Sequence, residues 1–575
     1  MRLRRLRGAL TAAVVAATAL TGISVAHEVT AGAATSACDV KYTIVNSWPT
    51  GFQASVDITN NSTALASWAL GFRFPNSQKI TNSWNSVYAQ TGQDVTISNA
   101  TWNGALASGA ALNLGFIGTW SGTNAVPDYF TLNGIACNGA AQRPTVSLTS
   151  PVANAIYTAP ATVPLAATAA STSGGTVSKV AFYDGTTLVG TATTSPYSVS
   201  WTGVAAGVHT VTAQAYDSNG GIGYSAAASI FVRKAGSTGA PALHVSGNKL
   251  VDAAGTQVVL HGVNRSGAEF ACVHGDGIFD GPMDATSIMA IASWNVTAVR
   301  VPLNEDCWLG LSNVTAAYAG ATYQAAIKDY VNLLHQYGIV AILDLHWTDG
   351  VYTGTSTACA SATATCQKPM VDAANGVPFW KSVATTFAGD NATIFDLFNE
   401  PYPERAASYD ETAGWTCWRD GGTCTGISYQ VAGMQTLVNT VRAAGASNVI
   451  MLGGLAYSND LTQWLTYKPT DSANNLVASW HSYNFNVCVT SACWDSQLAP
   501  VAASVPLVAG EIGENDCGHS YIDTLMTWLD THSASYLAWT WNTWDCSAGP
   551  SLISAYDGTP TAYGTSYRTH LRSLP

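Results

Sequence analysis

Charge is what this 575-residue chain has least of. Asp, Glu, Lys and Arg together make up 10% of it, well below the usual quarter, and the formal net charge is −12. No basic face can be assembled from so few cations to release the counterions of a nucleic acid, which excludes that class of partner. Long apolar runs are missing too. The stretch Ala9 to Leu20 is too short for a comfortable membrane span and no later stretch qualifies, so no membrane partner is expected. No two cysteines stand in C-x-x-C spacing, and the chain is expected to need neither a metal nor an organic cofactor.

What is present points outward from the cell. Hydrophobic residues make up 47% of the chain, enough for real cores, and the length calls for two to four domains. Arg2, Arg4, Arg5 and Arg7 precede the apolar stretch, and Ala26 or Ala34 offers a small-residue cleavage site, so residues 1–34 read as an export signal. A secreted, extracellular protein with twelve cysteines is expected to hold disulfides. Cys38 and Cys137 bracket one region; Cys359/Cys366, Cys417/Cys424 and Cys488/Cys493 are close pairs, and Cys272/Cys307 and Cys517/Cys546 remain. Spacing alone leaves their connectivity open.

From Cys38 to Cys137 the chain alternates in the manner of strands, as in Ala54–Thr59 and Trp68–Phe74, with Gly, Asn and Ser turns: a β-sandwich of about 100 residues. Trp68 has apolar neighbours at alternate positions and belongs in the core. Trp48, Trp84 and Trp102 have polar, turn-forming neighbours and are read as exposed. Exposed indoles stack on the flat faces of successive sugars, and a rigid platform loses little entropy on binding. The blander reading is that one or two of them cap the sandwich edge. With its terminal cysteines and these three motifs, the segment 38–137 resembles a family 2 carbohydrate-binding module. The resemblance implies that Trp48, Trp84 and Trp102 bind cellulose and gives Trp120 no such part. Residues 142–234 repeat the all-β pattern with Asp-Gly and Asn-Gly turns and a lone Trp201. They resemble bacterial immunoglobulin-like modules and are expected to act as a spacer, made flexible by Gly236–Pro241.

Over residues 242–575 strands alternate with helical patterns. Apolar runs at 258–265, 297–303, 340–347, 393–400, 449–455, 476–483, 506–513 and 535–542 supply the eight strands of a (β/α)8 barrel, after an entry hairpin at 243–257. The fold class is therefore a multidomain α/β barrel protein with two preceding β-sandwiches. Buried parallel strands are normally apolar, yet Arg300, His346, Asn399, Glu400, His481, Tyr483, Glu511 and Trp541 fall in the middle or C-terminal part of these runs. Any one of them alone reads as a satisfied core residue. As a set they call for a shared cavity at the C-terminal rim, and two strand-end glutamates suit an acid and a nucleophile on either side of one bond.

The motifs Val299-Arg300-Val-Pro, Asp344-Leu-His346, Asn399-Glu400-Pro401, His481-Ser-Tyr483, Gly510-Glu511 and Trp539-Thr-Trp541 resemble glycoside hydrolase family 5. The resemblance implies Glu400 as general acid/base, Glu511 as nucleophile and Asn399 on the 2-hydroxyl of the sugar attacked. It further implies Arg300 and Tyr483 on Glu511, His346 and His481 lining the subsite, and Trp541 stacked under the sugar at the cleaved bond. The activity implied is that of a retaining endo-β-1,4-glucanase, a monomer acting on cellulose or a related plant cell-wall polysaccharide. Mannan or xylan as substrate, and a non-catalytic polysaccharide-binding protein, are the alternatives. Glu269, Glu305, Asp306, Glu514 and Asp545 are expected in loops or behind the site, Trp308, Trp347 and Trp544 are candidate platforms, and Glu404 is read as a solvated surface charge.

Overall fold

The computed structural model describes residues 36–121, 123–138, 143–172, 175–349, 367–516, 518–545 and 549–574. The expected export signal and the cysteines at 359, 366, 517 and 546 lie outside them. Two compact units result, one built on residues up to Arg143 and one on most of the chain from Pro144 onward. Among the described residues no helix is long and apolar enough to cross a membrane.

The first unit packs two antiparallel sheets, one of four strands and one of five, around Phe52, Val56, Trp68, Phe72 and Phe116. Alternation puts these residues inward, and Cys38–Cys137 joins the two ends of the module. Trp48 ends the strand Cys38–Trp48 and pairs across it with Gly51; Trp84 ends Lys79–Trp84 and pairs with Gly115. A methyl group added at either glycine would collide with the indole opposite. Each ring therefore lies flat over a residue without a side chain, leaving 40% of Trp48 and 36% of Trp84 exposed. Trp102, in the loop after Asp94–Asn99, is 72% exposed. Trp68 is buried and donates its indole N–H to the Asn103 carbonyl at 2.9 Å.

The second unit begins with an immunoglobulin-like sandwich whose core holds Val163, Leu165, Phe182, Val211 and Ile230. It does not hang on a loose tether. Phe231 faces away from that core into the barrel's own hydrophobic cluster, with its ring 5.1 Å from that of Tyr337. Arg233 Nε donates to the Gln336 carbonyl at 2.7 Å, and in the expected linker the Ala240 N–H donates to the His335 carbonyl at 2.9 Å. These barrel residues close the helix Ala321–Gln336 just before a barrel strand begins, so the sandwich sits on the barrel's N-terminal face. A cleft of about 710 Å³ between the two is lined by residues of both, among them Phe231, Arg233, Lys234, Asp252, Asn295 and Tyr337, and by no histidine or glutamate.

Eight parallel strands close the barrel: β1 (His261–Asn264), β2 (Ala298–Asn304), β3 (Val340–Trp347), β4 (Thr393–Asp396), β5 (Ile450–Gly453), β6 (Leu476–Tyr483), β7 (Leu507–Gly513) and β8 (Ser535–Ala538). Ala298, Ile342, Ile394, Met451, Val477, Val508 and Leu537 fill the barrel interior. Above that plug the inward positions turn polar, which is where a cavity opens at the C-terminal rim. β4 and β8 stop four residues short of their expected ends, so Asn399, Glu400, Trp539 and Trp541 ride on the connections beyond them.

Candidate active site

Arg300, fully buried on β2, is the hub of the site. Its Nη1 donates to Glu511 Oε1 at 2.8 Å and to Asn264 Oδ1 at 3.1 Å, and its Nη2 donates to Asn399 Oδ1 at 2.9 Å. Nη2 also lies 3.0 Å from Asp344, and Nε donates to Asp396 at 2.9 Å. One guanidinium thus ties together the ends of β1, β2, β3, β4 and β7, with the planar fork that a lysine could not offer.

The two glutamates occupy unlike surroundings. Glu511 is held on both oxygens, by Arg300 and by the Tyr483 hydroxyl at 2.5 Å, and its side chain is 5% exposed. Burial and the charges of Glu511 and Glu400 push the Tyr483 phenol well above its ordinary range, so it stays protonated and donates. Glu400 is 24% exposed; burial, then the Glu511 charge, lifts its carboxyl well above the usual carboxylate range. His481 Nδ1 sits between them, 3.2 Å from Glu400 Oε1 and 3.8 Å from Glu511 Oε2. Burial, with Arg300 and His346 nearby, holds this imidazole well below its normal value, so it is neutral.

One ligand-type atom from each of Glu400, His481 and Glu511 lies within 4.8 Å of the others. That spacing could admit a small cation, but both Glu511 oxygens already have donors. What the arrangement suits is acid and nucleophile chemistry, with a protonated carboxyl facing a fixed carboxylate.

His346 accompanies the pair. Its Nδ1 lies 2.7 Å from Asp344 Oδ2, burial holds it down to about 4, and its ring stacks on Trp539 with centroids 5.4 Å apart and planes at 12°. Here the structure departs from the sequence reading. Trp541 is fully buried, edge-on to Trp294 at 4.8 Å, and presents no face to a sugar. After β8 the chain folds over β1: Thr540 Oγ1 donates to the Asn264 carbonyl at 3.0 Å and the Trp541 N–H to the same carbonyl at 2.8 Å. That turn sends Trp541 out toward the helices and leaves Trp539, half-buried, beside His346.

Trp308 is likewise core, donating to Ser382 Oγ at 3.0 Å. Trp347 and Trp544 are half-buried and flank Phe270 at 6.2 and 5.9 Å, forming an aromatic bank. Phe485, 62% exposed, stacks on Tyr483 at 5.3 Å. Glu269, Glu305 and Glu514 are buried and accept backbone N–H groups of Gly267, Asp349 and Ile522, while Asp306 accepts from Asn313; Asp545 is exposed. Glu404 is not a surface charge. It is 6% exposed against Gly414, which has no side chain to exclude it, and burial pushes its carboxyl up to about 7. Of the acids around Arg300, Asp344 was named only within its motif and given no role; Asp396, and Gln367, whose side chain meets the Asn399–Glu400 turn, were not singled out from sequence.

The cellulase model, glycosyl hydrolase family 5, matches residues 251–545, just over half of the chain. The chain belongs to glycosyl hydrolase family 5. A cellulose binding domain matches residues 38–137 of this family 5 protein, and a bacterial Ig domain matches 144–213. Among curated proteins, Exoglucanase A of Cellulomonas fimi is 48% identical over 109 residues, which is 19% of this chain and 12% of that protein. Endoglucanase CelA of Streptomyces lividans is 42% identical over 112 residues, 19% of this chain and 24% of that one. The family 5 chain thus spans a quarter or less of the length of these relatives. A beta-glucanase from Saccharophagus degradans superposes with a TM-score of 0.45 at 18% identity, over 58% of this chain and 94% of that one.

Proposed function

We propose that this family 5 protein is a secreted, monomeric, retaining endo-β-1,4-glucanase, held on cellulose by its first module. The observation that carries the reading is the approach of Glu400 and Glu511 within 4.8 Å across the barrel mouth, in surroundings that keep one protonated and the other engaged by two donors. Carboxyl groups about 5–5.5 Å apart give a covalent glycosyl-enzyme and retained configuration. Glu511 attacks the anomeric carbon while Glu400 gives its proton to the departing oxygen. Glu400, now a carboxylate, then takes a proton from the water that releases the sugar. Asn399 holds the 2-hydroxyl through its amide, and Trp539, replacing Trp541 in that part, lies under the ring.

The test is reducing-sugar release by the full chain on carboxymethyl-cellulose, β-mannan, xylan and mixed-linkage glucan, with Glu511→Ala as the blank. Strong release from carboxymethyl-cellulose with an early fall in viscosity is expected. Activity confined to mannan or xylan would move the substrate and keep the two glutamates. Inactivity on all four would sink the enzymatic reading.

The first module gives a second expectation, through Trp48, Trp84 and Trp102 together. Gly115→Val lifts the Trp84 ring off the sheet without touching the barrel. Losing one stacked indole is worth about 1 kcal/mol, so binding to microcrystalline cellulose should weaken several-fold, up to about tenfold. Hydrolysis of a soluble substrate should not change. A pull-down isotherm paired with a soluble-substrate assay reads both.

A further inference from the structure

Gln367 lies at the barrel rim, and its side chain is spent on the Asn399–Glu400 turn. Its Oε1 accepts from Asn399 Nδ2 at 2.8 Å and from the Glu400 N–H at 3.2 Å. Its Nε2 donates to the Glu400 carbonyl, and its own carbonyl accepts from the Tyr402 hydroxyl at 2.9 Å. The opposite flank of the same turn is held from the segment after β5. Ser458 Oγ donates to the Asn399 carbonyl at 2.9 Å, and the Tyr457 N–H donates to that of Pro401 at 3.0 Å. Ala456, Tyr457 and Ser458 all have left-handed φ, at 51°, 60° and 60°. L-residues enter that region at a cost, and it persists where neighbours over-determine it.

The two ends of the Asn399 amide are told apart by their partners. Arg300 has only donors, so it selects Oδ1, and Gln367 Oε1 has only lone pairs, so it selects Nδ2. A flipped amide would set Nδ2 against the guanidinium and Oδ1 against the Gln367 oxygen. With both bonds made, Nδ2 keeps one hydrogen for a substrate hydroxyl.

We infer that Gln367 is a positioning residue: it locks the Asn399 amide in the sense that donates to the 2-hydroxyl and sets the Glu400 backbone in the same grip. The inference rests on the proposed glycosidase reading. A glutamine that only stabilised the loop would affect every substrate alike, whereas this role ties Gln367 to one hydroxyl.

The experiment uses the full chain and two aryl β-cellobiosides, one complete and one lacking the 2-hydroxyl on the ring whose anomeric bond is cut. If wild type cleaves another β-glycoside, the pair is made on that sugar. The readout is the ratio of kcat/KM between the two. Gln367→Met keeps the length and replaces the amide oxygen and nitrogen by a thioether that donates nothing and accepts only weakly. It is expected to slow both substrates through the Glu400 backbone but the complete one more, lowering the ratio about tenfold, the worth of one good hydrogen bond. Gln367→Glu keeps the acceptor for Asn399 and Glu400 N–H and should hold the ratio near wild type. Gln367→Asn, as polar but one methylene shorter, covers a Met variant that does not fold and should lower the ratio too. An unchanged ratio in a folded Met or Asn variant overturns the inference and leaves the glucanase reading standing. A wild type inert on every glycoside retires both.

Discussion

Glu400→Gln is expected to lower kcat/KM on carboxymethyl-cellulose by about 10²–10⁴-fold, the usual share of a positioned acid. The same variant should still form its glycosyl-enzyme quickly from a dinitrophenyl β-cellobioside, whose leaving group departs without a proton. Turnover then stalls at the second step, where the missing base fails to activate water, and a burst of dinitrophenol appears. Glu511→Ala removes the attacking oxygen and should abolish the reaction on both substrates, with no burst. The pH profile separates the roles further. The acid works while protonated, so wild-type activity falls as pH rises through the Glu400 value, which burial and Glu511 lift above the ordinary range of a glutamate. In Glu400→Gln that basic limb should vanish. Equal loss on both substrates, with the limb intact, would assign the proton to another group.

Removing the immunoglobulin-like module is the second change with a large expected effect. Phe231 is 9% exposed and packs on Tyr337, 3% exposed, with Ile156 and Val208 against the same cluster. Burying a large apolar side chain contributes about 1.5–3 kcal/mol, so two or three lost contacts amount to about 3–6 kcal/mol. At about 2–4 °C per kcal/mol for a large domain, residues 242–575 alone should melt on the order of 10 °C below residues 143–575. Their kcat at 25 °C should be alike, because the contact lies on the barrel face away from Glu400 and Glu511. Differential scanning calorimetry of the two proteins makes the comparison, and equal midpoints would return the module to the part of a mere spacer.

Much of the barrel was legible because its strands are apolar runs that end in polar residues. Arg300, His481 and Glu511 stand out as charged or titratable residues in otherwise largely apolar runs, and strand parity then carries them to one cavity. Parity failed at the end of β8. Trp539 and Trp541 are two positions apart and would share a face if the strand continued, but it ends at Ala538, and the bonds to Asn264 that turn the chain are set by a residue 276 positions away. Glu404 was misread because nothing near it in sequence announces Gly414, whose missing side chain makes room for it. Gln367 carries no periodic signal at all; only the folded rim brings it to Asn399. The linker at 236–241 has the composition of a loose joint and is docked through its backbone, which composition does not report.

On the retaining reading proposed above, the unequal shielding of the two glutamates would also bear on what ends each turnover. With Glu511 sealed beneath Arg300 and Tyr483, and Glu400 open to solvent over a quarter of its side chain, whatever resolves the covalent intermediate enters on the Glu400 side. That approach is the one the departing chain has just vacated, so a second glycan can settle there before water does. Its terminal hydroxyl would then be deprotonated by the same carboxylate, and the sugar passed on instead of released. Held at a cellulose surface as proposed, such a site would partition between cutting chains and lengthening them, with the balance set by how quickly the vacated track refills.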